Sequence, residues 1–362
     1  MNRRFIILLV ATLLLAQPAH ASAARYEYTL SYVLENRGSG PLELLEEDVA
    51  VPLFMNTSWQ TVRVKEASVT YTVKDMDVDG GRGAVMGVSK TLSPGESASF
   101  TVTFTIESTG RAVPGFDPSE AGLASDIPSG LVDAYSVATE TFQSDDPVIA
   151  SRARDVVGDA DTVLKSLDLL IEYVTGETTY YNFEVPRYPN TTLSEGLGDC
   201  DDQSILLVSM LRSLGVPAYL QVGIYIHPSI DDDQTSWQGH LTNTCRGVGW
   251  HGWAMVYVPP WGWVPVDLTL TTSKDGLELL TKAPEYSGSV IAAYDVSRQP
   301  YIGDAHKTRA RIIGSDVYVT VTDEAAEVYG GGLGGEAFLV AGLGIAVAAA
   351  LVLMFVSARK GS

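Results

Sequence analysis

Three side chains with complementary chemistry recur at short intervals in the second half of this 362-residue chain. Cys200 stands in Gly198-Asp199-Cys200-Asp201-Asp202, immediately before a strongly apolar run. His251 opens His251-Gly252-Trp253, and Asp267 closes Val264-Pro265-Val266-Asp267. A thiol at the start of a helix, an imidazole on a strand and a carboxylate beside it are the parts of a thiol acyl-transfer site. The dipole and free amides of the helix start favour a thiolate, whereas Asp199, Asp201 and Asp202 oppose it, so the thiol needs the histidine. The backbone N–H of Cys200 can face a developing oxyanion. Gly198 is expected to allow the turn that presents the sulfur.

Elements must position these groups. The run from Cys200 to Leu214 is apolar almost all round, as a buried helix is, and Gly215 with Pro217 ends it. A strand is expected over 218–226 and another over 251–258. The second turns at Pro259-Pro260-Trp261-Gly262 into a strand from Trp263 that carries Asp267. With the turn centred there, paired residue numbers sum to roughly 518 to 520, which sets Asp267 beside His251. Upstream, Asp146 and Pro147 cap a helix. Val163, Leu167, Leu170, Ile171 and Val174 mark an amphipathic one. Val317, Val319 and Val321 mark a late strand. Helices followed by an antiparallel sheet make an α+β pattern.

The first third reads as all-β. Tyr26, Tyr28, Leu30, Tyr32 and Leu34 alternate with more polar residues, as do Phe100, Val102, Phe104 and Ile106. A β-sandwich domain over 25–107 is expected, then a linker over 108–145 and the catalytic domain over 146–325. The ends have their own signatures. Residues 1–23 have Arg3 and Arg4, an apolar core and small residues around Ala21, as a signal peptide does. A glycine-rich spacer, 326–336, precedes an uncharged stretch, 337–356, of about 30 Å as a helix, enough to span a bilayer. Arg359 and Lys360 in the tail, 357–362, place that end in the cytoplasm. The expected location is therefore the cell membrane, single-pass, with the catalytic domain extracytoplasmic.

The net charge is −20. The two ends hold four of the 24 basic residues and no acid, leaving 20 basic against 44 acidic residues between them. Such a surface argues against nucleic acid and anionic lipid as partners. With two cysteines, the chain is no disulfide scaffold. A Cys200–Cys245 bridge is the arrangement that would abolish the catalytic reading. His227, His240, Cys245 and His251 are the residues for a rival zinc site, but their spacing fits no standard pattern. The acids Asp231, Asp232 and Asp233 are expected in a solvated loop.

Gly198-Asp199-Cys200-Asp201-Asp202, the Leu-rich helix, Leu214-Gly215-Val216-Pro217-Ala218, His251-Gly252-Trp253 and Trp263-Val264-Pro265-Val266-Asp267-Leu268-Thr269 together resemble the transglutaminase-like superfamily, over about 147–275. The resemblance implies a papain-like α+β core with Cys200 as nucleophile, His251 as base and Asp267 as orienting acid, with no cofactor and no metal. Gly252 stands where alanine is frequent in the family, and Leu268 where proline is. The family's second oxyanion donor has Tyr180, Tyr181 and Trp237 as candidates here. The front β domain and rear anchor resemble exported, membrane-anchored prokaryotic members. The implied function is cleavage or transfer of peptide or glutamine acyl groups through a Cys thioester, on protein or peptide substrates that include cell-surface ones. The alternative is a non-catalytic surface protein that uses the same fold.

Overall fold

The computed structural model describes residues 23–283 and 286–328. The expected signal segment, apart from Ala23, and the expected membrane helix over 337–356 lie outside the described residues. Among the described residues no helix is long and apolar enough to cross a membrane.

The first third is built of β1 (Ala24–Asn36), β2 (Leu42–Glu43), β3 (Ala50–Leu53), β4 (Gln60–Ala67), β5 (Tyr71–Asp75), β6 (Arg82–Met86), β7 (Thr91–Leu92) and β8 (Ser97–Ser108). Alternation decides which faces are buried. Tyr28, Leu30, Tyr32 and Leu34 of β1 and Phe100, Val102, Phe104 and Ile106 of β8 are all buried. Tyr28 is in register with Phe104 and Tyr32 with Phe100, so their rings stack at 5.8 and 5.1 Å.

Helices follow: α1 (Ser129–Tyr135), α2 (Pro147–Val157) and α3 (Val163–Glu177). The segment expected as a linker thus contains a helix and buries Phe142 fully. Asp146 caps α2 through Val148 N and Ile149 N, with Pro147 in the first turn. Then come β9 (Thr179–Tyr180), α4 (Pro189–Glu195), β10 (Leu197–Gly198) and α5 (Cys200–Ser213). Every residue of α5 from Cys200 to Arg212 is buried, as its all-round apolar pattern requires. The chain ends with β11 (Ala218–Ser236), β12 (Leu241–Val258), β13 (Gly262–Val266), α6 (Gly276–Lys282), β14 (Val290–Val296), α7 (Tyr301–Ile313) and β15 (Val317–Glu327).

One eight-stranded sheet runs through both halves, in the order β14-β11-β12-β15-β1-β8-β4, with β13 on β12. The long strands of the N-terminal third therefore share one sheet with the strands of the second half. β1 pairs with β8 on one side and antiparallel with β15 on the other. A second, three-stranded sheet, β3-β6-β5, accompanies them. Polar clamps tie the halves together. The Gln60 side chain donates to Ala292 O and accepts from Ala292 N, and it also donates to Met55 O. Asp79 accepts from the backbone N–H groups of Ser297, Arg298 and Gln299.

The acids 231–233 do not form a loop. β11 and β12 stay paired through this region after a register shift between Ile226 and Asp231. Arg246 on β12 bridges to Asp231 at 3.1 Å and Asp233 at 2.8 Å, which lets the acids sit on a strand.

Candidate active site

The sulfur is placed by the first turn of α5. Asp199 is the N-cap in extended conformation, and its carboxylate accepts from Asp202 N while Asp202 accepts in return from Asp199 N. Asp202 also accepts from Arg187 N at 2.6 Å, and Asp201 from the Tyr301 hydroxyl at 2.9 Å. The acids are thus structural acceptors that fix the turn. Gly198 serves close packing and not a left-handed backbone. A Cβ there would lie 2.8 Å from Asp202 Cβ and 3.1 Å from Thr192 Cγ2.

The imidazole is placed by β12. One edge of β12 is covered by β11 throughout, with His251 opposite Gly223. The other edge pairs with β15 as far as Arg246 and with β13 from Ala254. Between them, residues 247–253 have no strand partner on that side. The start of α5 meets the strand at this gap, where Asp201 Cβ would lie 3.0 Å from a Cβ on Gly252. There the Gly252 N–H donates to the Cys200 sulfur. The residue that touches the thiol is thus the chain neighbour of His251.

The β12–β13 hairpin pairs at a constant sum, as in Ala254 with Val266 and Val258 with Gly262. That is the upper end of the expected register. Asp267 lies one residue beyond β13 and not on it. His251 Nε2 meets Asp267 Oδ2 at 2.5 Å, both groups being almost fully buried. Asp267 Oδ1 accepts from Thr269 N and Leu270 N, each at 3.0 Å. Burial works to raise the Asp267 pKa, but the His251 charge and these donors outweigh it and hold the carboxyl below its ordinary value. With Nε2 engaged, Nδ1 is the ring nitrogen left for the thiol.

The thiol itself departs from the helix-dipole expectation. Cys200 is 2 % exposed. Burial first, then the charges of Asp199 and Asp201, push its pKa well above that of a free thiol, and the Gly252 N–H only partly offsets them. Asp199 is itself pushed up by burial and by its acidic neighbours, as is Asp202. The resting group is a protonated thiol that needs a base at the moment of attack.

Of the three candidate oxyanion donors, Tyr180 is the one beside the sulfur. It pairs with Gly198 across β9 and β10. Burial and the Cys200 and Asp199 charges raise its pKa, so the phenol keeps its proton. Tyr181 is 54 % exposed. Trp237 spends its backbone and indole N–H groups on Glu184.

The other reactive groups lie elsewhere. Cys245 accepts from Asn243 Nδ2 at 3.3 Å, and both cysteines are free thiols. His227 bonds Ser229, His240 bonds Val317 O and His306 bonds Pro186 O, so no zinc set gathers around His251. Among the described residues, Asp199, Cys200 and Asp201 are the group whose potential metal-ligand atoms lie together. Asp199 and Asp201 are already committed to the helix cap and to Tyr301.

Residues 150–268 match the family model of the transglutaminase-like superfamily. No curated protein matches the sequence. Among solved structures, a presumed cysteine protease from Cytophaga hutchinsonii superposes with a TM-score of 0.55 at 13% identity, covering 86% of this chain and 93% of that one. The periplasmic domain of TgpA from Pseudomonas aeruginosa, bound to ethylmercury, gives 0.31 at 14% identity, over 69% of this chain and 92% of that one. Red sea bream transglutaminase gives 0.32 at 11% identity, over 69% and 47%. The first likeness supports the fold. The chain therefore has a mixed α/β fold built on a transglutaminase-like core.

Proposed function

We propose that this protein is a thiol enzyme that cleaves or transfers amide acyl groups, with Cys200 as nucleophile, His251 as base and acid, and Asp267 as the orienting carboxylate. The carrying observation is the buried His251–Asp267 pair, whose chain neighbour Gly252 donates its N–H to the Cys200 sulfur. As the sulfur attacks the carbonyl carbon, its proton passes to His251 Nδ1. The oxyanion is received by the Cys200 N–H and the Tyr180 hydroxyl. His251 then gives the proton to the departing amine nitrogen as the C–N bond breaks, leaving a thioester. Water or another amine takes the acyl group and restores the thiol. The sulfur is closed off from solvent at rest, so turnover requires a movement that uncovers it.

The apolar segments near the two ends support an exported, membrane-anchored protein acting on peptide or protein substrates outside the cytoplasm. The test is labelling by a peptide-derived thiol-reactive probe with mass mapping of the modified residue. Labelling at Cys200, absent in Cys200→Ala and abolished in His251→Ala, is expected. Equal labelling of the wild type and both variants would refute the proposal. The closed sulfur favours the rival reading, a non-catalytic surface protein, and a wild type that stays unlabelled would support that reading.

A further inference from the structure

A solvent-open pocket adjoins the His251–Asp267 pair, with about 420 Å³ of empty space counted out to its mouth. Trp59, Trp253 and Val290 give it apolar walls, Arg111 and Gln221 give it polar ones, and Asp267 is part of its lining. The period of β12 turns Trp253 to the same face as His251, and the two rings lie 5.8 Å apart at 29°. The pocket thus lies against Asp267 and Trp253, the two side chains that touch the imidazole.

Arg111 is its unusual member. Its guanidinium lies 4.7 Å from the centre of the Trp59 ring. Nη2 donates to Trp263 O at 2.8 Å and Nη1 reaches Met255 Sδ at 3.5 Å. Both partners are uncharged. Arg187 and Arg311 have carboxylate partners, Glu195 and Asp48, whereas the buried Arg212 is satisfied by three backbone carbonyls. Asp295 is close enough to act on Arg111 electrostatically, but its carboxylate takes the Gln221 amide at 2.7 Å. A guanidinium has five N–H donors in a fork that matches a carboxylate. Among the described residues no carboxylate bonds it directly, and its remaining N–H donors can take one from a ligand.

We propose that the cavity receives the leaving-group side of the substrate: a C-terminal residue with a large apolar side chain between Trp59 and Trp253 and its free α-carboxylate on Arg111. This rests on the thiol mechanism above. His251 protonates the departing nitrogen, so the amine half of the scissile amide must lie on the imidazole side of the sulfur, and the pocket lies beyond the imidazole, against its partners Asp267 and Trp253. The C–N bond of the last peptide link breaks, the nitrogen takes the proton from His251, and the freed amino acid leaves with its carboxylate. Water then hydrolyses the thioester.

The test is calorimetric binding to the Cys200→Ala protein, which cannot turn over. N-acetylphenylalanine should bind saturably. Its C-terminal amide and N-acetylalanine should each bind at least tenfold more weakly. Arg111→Gln should erase the preference for acid over amide. Equal affinity for acid and amide, no saturable binding of the acid, or a preference that survives in folded Arg111→Gln would overturn the assignment. The acid–amide comparison needs no arginine variant, so it decides even if Arg111→Gln does not fold. Probe labelling of Cys200 separates the two ideas. Labelling without acid preference removes the cavity assignment and leaves the chemistry. Acid preference without labelling removes the leaving-group role together with the chemistry.

Discussion

Asp267→Asn keeps size and shape at the site yet should disable it, for a reason fixed by two backbone groups. In the wild type, Asp267 Oδ1 accepts from Thr269 N and Leu270 N at 3.0 Å while Oδ2 faces His251 Nε2. In the variant, only the amide oxygen can face those two donors. The NH2 group must then point at Nε2, which has to offer a lone pair. The ring proton moves to Nδ1, the atom that must accept the thiol proton. The imidazolium formed on attack also loses its counter-charge. Two unit charges roughly 4 Å apart at an effective dielectric of about 20 interact by about 4 kcal/mol. That energy corresponds to roughly a thousandfold in rate, and the wrong tautomer extends the expected loss to 10³–10⁴-fold, about 4–5.5 kcal/mol. The assay is the rate constant for labelling of Cys200 by the peptide-derived probe, with thermal melting to establish that the variant is folded. Its labelling should recover as pH rises, because hydroxide can then take the thiol proton directly. A folded Asp267→Asn protein labelled within tenfold of the wild-type rate at neutral pH would refute the tautomer argument.

Three other perturbations test the frame around the site. Burial raises the Asp323 pKa to about 6, against roughly 3.9 in an unfolded chain. The folded state therefore holds an extra proton between these values, and this contribution to stability is full below pH about 4 and lost as pH rises to about 6. The span is about 3 kcal/mol, so the stability difference between wild type and Asp323→Asn, measured by denaturant unfolding, should change by that order over this window; a flat difference would contradict it. Gly223→Ala would set a Cβ 2.0 Å from Ile291 O in the strand opposite His251; a cost of about 3 kcal/mol and slowed Cys200 labelling are expected, and an unchanged melt would exclude the clash. Arg212 is buried, and its guanidinium donates to Ala218 O, Val137 O and Ser297 O while resting 4.2 Å from the Phe142 ring centre. An ammonium cannot span those carbonyls, so Arg212→Lys should lose about 3–5 kcal/mol in denaturant unfolding, and a loss under about 1 kcal/mol would show that the carbonyls find other donors.

Local pattern was sufficient for much of the fold. The alternation in β1 and β8, the all-round apolar face of α5 and the Pro259–Gly262 turn are all written within a dozen residues or so, and each element formed as its pattern requires. The turn carried the pairing register, which extended by one residue would set Asp267 opposite Trp253; its carboxylate reaches His251 from just beyond the end of β13. The acids 231–233 misled because three like charges resemble a solvated loop. On the strand they face Arg246, which lies beside them only once β11 and β12 pair. Strand preference of that kind belongs to the cross-strand neighbour and not to the residue itself. The continuous sheet was equally hidden. β1 joins β15 across nearly the whole chain, and such pairing leaves no mark on nearby sequence.

The chain by itself determined which groups could react and in what order they occur, because residue type and short spacing fix helix starts, turns and strand faces. Only the folded arrangement decided their chemical state. Burial worked against the thiolate at Cys200, two backbone N–H groups oriented the Asp267 carboxylate, and the pairing of Thr179–Tyr180 with Leu197–Gly198 set Tyr180 against the turn that leads into Cys200. Desolvation and charge proximity are properties of three-dimensional neighbours, many of them distant in sequence.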